Sequence, residues 1–260
     1  KHSIFFFMTC LFLQSCLSSN GETGQAISLF NGEDFNGWYK FLENRGRDND
    51  PKQVFTVVDG MIRISGEEWG CITTQEEFEN YKITLEFKWG KKTFAPRVDK
   101  ARDSGLLLHS VGEDGGKEGI WMHSIECQMI EGGTGDFIVV GDGSTNFSLI
   151  APVSKDKQNG SYIYDSNGLP VTINDGRVNW YARSPVWKDT INFRGEHDVE
   201  KPLGEWNVLE CHAKGEEIYV YLNGKLVNYA IRVKPTKGKI QIQSEGAELF
   251  VRKVELEKLQ

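Results

Sequence analysis

Between Tyr81 and Trp89 the chain alternates apolar and polar residues without a break: Tyr81-Lys82-Ile83-Thr84-Leu85-Glu86-Phe87-Lys88-Trp89. Successive side chains of a β-strand point to opposite faces, so this period of two predicts a strand with one buried and one wet face. The same pattern recurs over Trp206–Ala213, Glu217–Leu222, Lys239–Ser244 and Glu248–Leu259, and long helical periodicity is missing. Asp59-Gly60 separates Phe55–Val58 from Met61–Ile64, and Asn223-Gly224 leads from Glu217–Leu222 into Lys225-Leu226-Val227. Both dipeptides suit the positive-φ positions of tight hairpin turns. Strands joined by Gly-rich turns predict an all-β chain of two stacked antiparallel sheets.

The amino-terminal stretch reads differently. Lys1 and His2 precede an apolar run from Ile4 to Leu13, and Gln14-Ser15-Cys16 follows. The run is too short for a mature spanning helix but fits the h-region of a signal peptide. A small residue followed by Cys at this place is similar to a bacterial lipobox. Residues 1–16 are therefore expected to form a lipoprotein signal, with Cys16 as the lipidated residue; a plain signal cut near Ser18 or Ser19 is the alternative. Residues 17–26, rich in Ser, Gly and Asn, are expected to be a flexible tether, and residues 27–260 one β-sandwich domain. The expected setting is the bacterial periplasm or cell surface, at the outer membrane, with membrane contact through the lipid alone.

A formal net charge of -7 with no basic cluster argues against nucleic acid as a partner. Once the signal is removed, Cys71, Cys127 and Cys211 remain, an odd number that excludes a complete disulfide framework. Cys127 and Cys211 lie among apolar alternating residues and read as buried free thiols. From Ser144 to Glu205 the pattern is less regular, with Pro152, Pro170, Pro185 and Pro202 among short strands. Long loops on a sandwich often wall a site.

The candidate chemistry lies on three strands. In Trp121-Met122-His123-Ser124-Ile125-Glu126-Cys127-Gln128-Met129-Ile130-Glu131, the side chains of Ser124, Glu126 and Gln128 share one face. A polar row on a sheet is costly if dry and unpaired, and is expected where the sheet lines a wet groove. In Arg102-Asp103-Ser104-Gly105-Leu106-Leu107-Leu108-His109, regular alternation puts Gly105, Leu107 and His109 on one face. Gly105 would let another group come close, and His109 would be the ready proton carrier near neutral pH. A lone His is more often structural. Gln241, Gln243 and Glu245 form a third polar row. Trp38, Trp121, Trp180 and Trp187 are candidate sugar-stacking rings, against a default of core or rim packing. Gly132-Gly133-Thr134-Gly135 lacks the Lys and helix of a phosphate loop and reads as a turn.

Four segments carry a resemblance: Leu29-Phe30-Asn31-Gly32-Glu33-Asp34-Phe35-Asn36-Gly37-Trp38, Asp103-Ser104-Gly105-Leu106 to His109, Ser124–Gln128 with Glu131-Gly132-Gly133, and Ile240 to Leu256. In that order they resemble the 3-keto-disaccharide hydrolase family. The resemblance implies a concanavalin-like jelly roll with one concave sheet, acting on glycosides already oxidised to a ketone at sugar carbon 3. It implies removal of the carbon-2 proton, departure of the aglycone from carbon 1, and hydration of the product in some members. A separate oxidoreductase would supply the 3-keto-glucoside-type substrate, and no nicotinamide cofactor is expected. The roles fall to His109 or Glu126 as base and Glu131 or Glu245 as acid. Arg102, Asp103, Trp121, Ser124, Gln128 and Gln243 would hold the sugar. A divalent metal on Glu126, Glu131 and His109 would also stabilise an enolate, although their spacing is not diagnostic.

Two other readings compete. A conventional glycosidase needs two carboxylates across the scissile bond. Glu126 and Glu131 are one such pair, but their odd offset opposes their faces in a regular strand. The same sandwich also serves non-catalytic, lectin-like sugar binding.

Overall fold

The structure, a computed structural model, describes residues 26–180 and 183–260. The signal, Cys16 and almost all of the tether expected from the sequence lie outside the described residues. The strands run β1 (Ile27–Ser28), β2 (Trp38–Leu42), β3 (Gly46–Arg47), β4 (Phe55–Val58), β5 (Met61–Ile64), β6 (Gly70–Thr74) and β7 (Tyr81–Thr93). Then come β8 (Asp103–Val111), β9 (His123–Ile130), β10 (Phe137–Val140), β11 (Ser148–Val153), β12 (Tyr162–Ile163) and β13 (Leu169–Ile173). The last are β14 (Gly176–Asn179), β15 (Asn207–Lys214), β16 (Glu217–Leu222), β17 (Lys225–Lys234), β18 (Lys239–Ser244) and β19 (Ala247–Lys258).

They form two sheets. One has the order β13-β11-β17-β16-β15-β7-β19-β5-β4, with β1 on β19; the other has β12-β14-β10-β9-β8-β18-β6-β2-β3. The hairpin turns fall where expected, with Asp59 and Gly60 at φ 50° and 73° and Asn223 and Gly224 at 50° and 79°. Asn, Asp and Gly tolerate such angles, and the resulting turn matches the twist of the flanking strands.

One core fills the space between the sheets. The apolar positions of β7, Tyr81, Ile83, Leu85, Phe87 and Trp89, meet Leu106, Leu108, Ile125, Cys127 and Met129 of the second sheet. All three described cysteines are buried and free, as the alternation around Cys127 and Cys211 suggested for those two. The architecture is the concanavalin-like jelly roll. Because Ile125, Cys127 and Met129 face the core, the intervening Ser124, Glu126 and Gln128 point to the outer face of the second sheet. That face carries a smaller apolar cluster of Cys71, Leu107, Ile120, Trp121 and Val140, which roofs part of it.

Candidate active site

A row of side chains crosses the outer face of the second sheet. Cross-strand pairing sets Thr73 beside Gln241, Gln241 beside Leu107, Leu107 beside Glu126, Glu126 beside Ile138, and Ile138 beside Arg177. In the next row Cys71 pairs with Gln243 and Gly105 with Gln128. The polar faces read from the three strands therefore meet on one surface.

Gly105 is the reason they can meet. A Cβ built there would collide with Oε1 of both Gln243 and Glu126. The bare backbone leaves room for the two side chains to close over it. Glu126 is then almost sealed from water, and its carboxyl has no hydrogen-bond partner among the described residues. Burial, followed by the nearby Asp103 charge, pushes its carboxyl up to about 8 against an opposing pull from Arg177.

Asp103 accepts a short hydrogen bond from Gln128 Nε2, and its Oδ2 lies 3.0 Å from Arg97 Nη2. Burial still raises it to about 7, with Arg97 and then Arg177 as the main opposing cations. Glu245 is partly exposed, yet desolvation first, then Asp103 and Glu126, hold its carboxyl well above the ordinary range. Three carboxyl groups, two arginines and two glutamines thus form one electrostatic unit. Crowding of like charges in a dry site favours protons shared among the acids near neutral pH.

Several expected residues fall elsewhere. His109 is not on the Glu126 face. The register slips between Leu108 and Val111, and His109 takes φ 54°, a left-handed value that turns its side chain into the core. There Nδ1 donates to the Pro235 carbonyl at 2.8 Å and the ring meets Tyr81 edge-on at 5.5 Å. Desolvation lowers it to about 4, so it is neutral.

Arg102 and Glu131 are also removed from the groove chemistry. They pair in the interior at 2.9 and 3.0 Å, and Glu131 Oε2 also accepts from Asn192 N–H at 3.0 Å. Arg102 further donates to the Gly90 carbonyl at 3.0 Å. The pair anchors the loop around Asn192 and leaves Glu131 no role opposite Glu126. Glu126, Glu131 and His109 accordingly cannot share one metal ion. Ser124 is fully buried and donates to the Met122 carbonyl at 3.4 Å, so it too is structural.

Among the four tryptophans singled out, Trp38, Trp121 and Trp180 are buried. Trp187 is half-buried, with the Arg183 guanidinium 3.9 Å from its ring centre. The ring the sequence reading passed over is Trp69, which is half-exposed and stacks on Trp121 at 6.5 Å. The reading also missed Arg97 and Arg177, the cations of the acidic cluster. Arg177 alternates with core-facing Val178 on β14, the one local signal that could have found it.

Two cavities adjoin the cluster, and neither is lined by Glu126 itself. One of about 170 Å³ is lined in part by Arg177, Asn179, Arg183 and Trp187. The other, about 680 Å³, lies between the segments of Glu43–Arg45, Glu67–Trp69 and Ala95–Pro96, beside Ile120.

The chain is thus a jelly roll with a desolvated acid cluster on one sheet face. The sequence matches the 3-keto-alpha-glucoside-1,2-lyase-like domain over residues 25–257, and the chain belongs to that family. Two solved structures from Parabacteroides distasonis ATCC 8503, each provisionally assigned as a glycosyl hydrolase, share its fold. One is 21% identical with a TM-score of 0.53, covering 91% of this chain and 94% of its own. The second is 17% identical with a TM-score of 0.51, covering 90% and 100%. No curated protein sequence matches this chain significantly.

Proposed function

We propose that the protein cleaves 3-keto-glycosides by β-elimination, with Glu126 as the base. The observation that carries this reading is the Glu126 carboxyl buried against Gly105 in the polar row of the outer face, where desolvation pushes it up to about 8. A carboxylate with so high a proton affinity is a far stronger base than an exposed one.

The ketone at carbon 3 acidifies the hydrogen on carbon 2. Glu126 takes that proton, and the electron pair moves into an enolate whose oxygen is stabilised by the Arg177 guanidinium. The enolate then expels the oxygen on carbon 1, and protonated Glu245 donates to it. The products are the free alcohol and an unsaturated 3-keto sugar, to which water can add. Glu126 ends protonated and Glu245 ionised, and passage of one proton from Glu126 to Glu245 restores the starting state of the pair. Asp103, pinned by Arg97 and Gln128, keeps the negative field beside Glu126 that raises its proton affinity. Gln243 Oε1 is buried without a hydrogen-bond partner among the described residues, and would accept from a sugar hydroxyl that displaces its cover.

The test compares aryl glycosides with their 3-keto forms. Release from the keto form alone, abolished in Glu126→Gln, supports elimination. Release from both forms indicates an ordinary glycosidase, and binding without release indicates a sugar-binding module. The same reading requires a separate oxidoreductase to make the keto-sugar. It also includes a lipid tether at Cys16 holding the domain at the bacterial outer membrane, in the periplasm or at the cell surface. Fatty-acid labelling lost in Cys16→Ser tests the tether.

A further inference from the structure

The 680 Å³ cavity is the larger of the two beside the cluster and lies in the size range of small-molecule sites, roughly 300–1,000 Å³. Its position follows from two ties. Ser244 Oγ donates to the Glu68 carbonyl at 2.7 Å, which hangs the Glu67–Trp69 segment beside Glu245. On the other side Pro96 leads into Arg97, whose guanidinium pairs with Asp103. These ties set the cavity walls next to the segment that carries Glu245, the group assigned to the leaving oxygen.

Its walls divide by chemistry. Trp69, Ala95, Pro96 and Ile120 supply an apolar side. Glu68 is clamped by Arg45, whose Nη2 lies 2.6 Å from Oε1, and by Lys52 Nζ at 3.0 Å. These hydrogen bonds, that of Arg45 foremost, hold its carboxyl down to about 2, so it stays anionic. The Glu43 and Glu67 carboxylates have no ion-pair partner among the described residues and are free to accept hydrogen bonds. An apolar face opposite a rim of acceptors fits a pyranose ring, with its C–H face on the indole and its hydroxyls donating. The acidic excess repels a carboxylate or phosphate on the incoming group.

Resting on the elimination reading above, we propose that this cavity is the leaving-group subsite and selects an uncharged, polyhydroxylated unit over an anionic one. Trp69 stacks that unit, and Glu43 and Glu67 read its hydroxyls and exclude acidic sugars.

Three substrates sharing one 3-keto-glucosyl half test this, with methyl, glucosyl or glucuronyl leaving groups. The wild type is expected to favour glucosyl over both others in kcat/KM. In Trp69→Ala the glucosyl-to-methyl preference should fall on the order of tenfold, mainly through KM. In Glu67→Lys, a change at an exposed residue that leaves the fold intact, the glucuronyl-to-glucosyl ratio should rise about as much. Unchanged ratios in both variants would overturn the subsite. If no keto-glycoside is cleaved at all, the elimination itself fails. Titration of intrinsic fluorescence with methyl glucoside then decides the cavity separately: saturable binding lost in Trp69→Ala keeps it as a sugar site, and no binding removes it.

Discussion

Gly105 and Glu126 occupy one another's space: the site where a Cβ would stand on Gly105 is taken by the Glu126 carboxyl oxygen and the Gln243 amide oxygen. The absence of one side chain on β8 thus sets where the key carboxyl on β9 comes to rest. Gly105→Ala must push both groups aside. Overpacking of a tight interior typically costs about 1–3 kcal/mol, and displacing a reacting group by about 1 Å costs on the order of a hundredfold in rate. The variant should fold with a lowered Tm and lose turnover of a 3-keto-glycoside far beyond that loss of stability. Full turnover would mean that the position of Glu126 is not critical.

The pH profile follows from Glu126. As a base it must be ionised, so kcat/KM should climb with pH and level off only above about 8, the value burial imposes. Glu245 is held above the ordinary carboxylate range by desolvation and by its acidic neighbours, and its ionisation as the acid would turn the profile down. A profile that is already flat from pH 5 to 7 would remove Glu126 as the base.

The same carboxyl makes the fold sensitive to alkali. Its folded-state value lies above that of the unfolded chain, so the folded form binds the extra proton between about pH 4.5 and about 8. The stability this provides is complete at lower pH and is lost as pH rises through about 8. Glu126→Gln cannot ionise. Urea unfolding should show it gaining on the wild type from about pH 5 to about 8 and holding level above, and a constant difference from about pH 5 to about 8 would contradict the shift.

Glu131 provides a contrast. Removing one partner of a buried ion pair strands the other, at a cost of about 3–5 kcal/mol. Glu131→Gln should therefore unfold at markedly lower urea concentration, because Arg102 loses its charged partner. The fraction that remains folded should keep its kcat. A loss of kcat without a loss of stability would return Glu131 to the chemistry.

His109 makes a fifth test, with a pH dependence of stability opposite in sign to that of Glu126. Its folded-state value of about 4 lies below that of the unfolded chain, so stability falls as pH drops from about 6.5 toward 4. His109→Phe should lose part of this acid sensitivity in thermal melts, with the rising limb of the rate profile unmoved. A shift of the profile's acid limb would place His109 in the reaction.

What the sequence alone determined was local and periodic. Alternation over Tyr81–Trp89, the Asp59-Gly60 and Asn223-Gly224 turns, and the buried thiols of Cys127 and Cys211 all depend on residues a few positions apart. Ser124, Glu126 and Gln128 share a face for the same reason, as do Gln241 and Gln243. Only the tertiary structure decided which polar groups end free and which end paired. A register slip of β8 against β9 turned His109 inward, where unbroken alternation had put it beside Glu126. Arg102 and Glu131, 29 positions apart, neutralise one another, while Arg177 arrives from a distant strand and joins Arg97, six positions before Asp103, in setting the charge around the acids. Period and turn chemistry are fixed by neighbours along the chain, but desolvation and ion pairing act through space, and so depend on which strands the fold brings side by side.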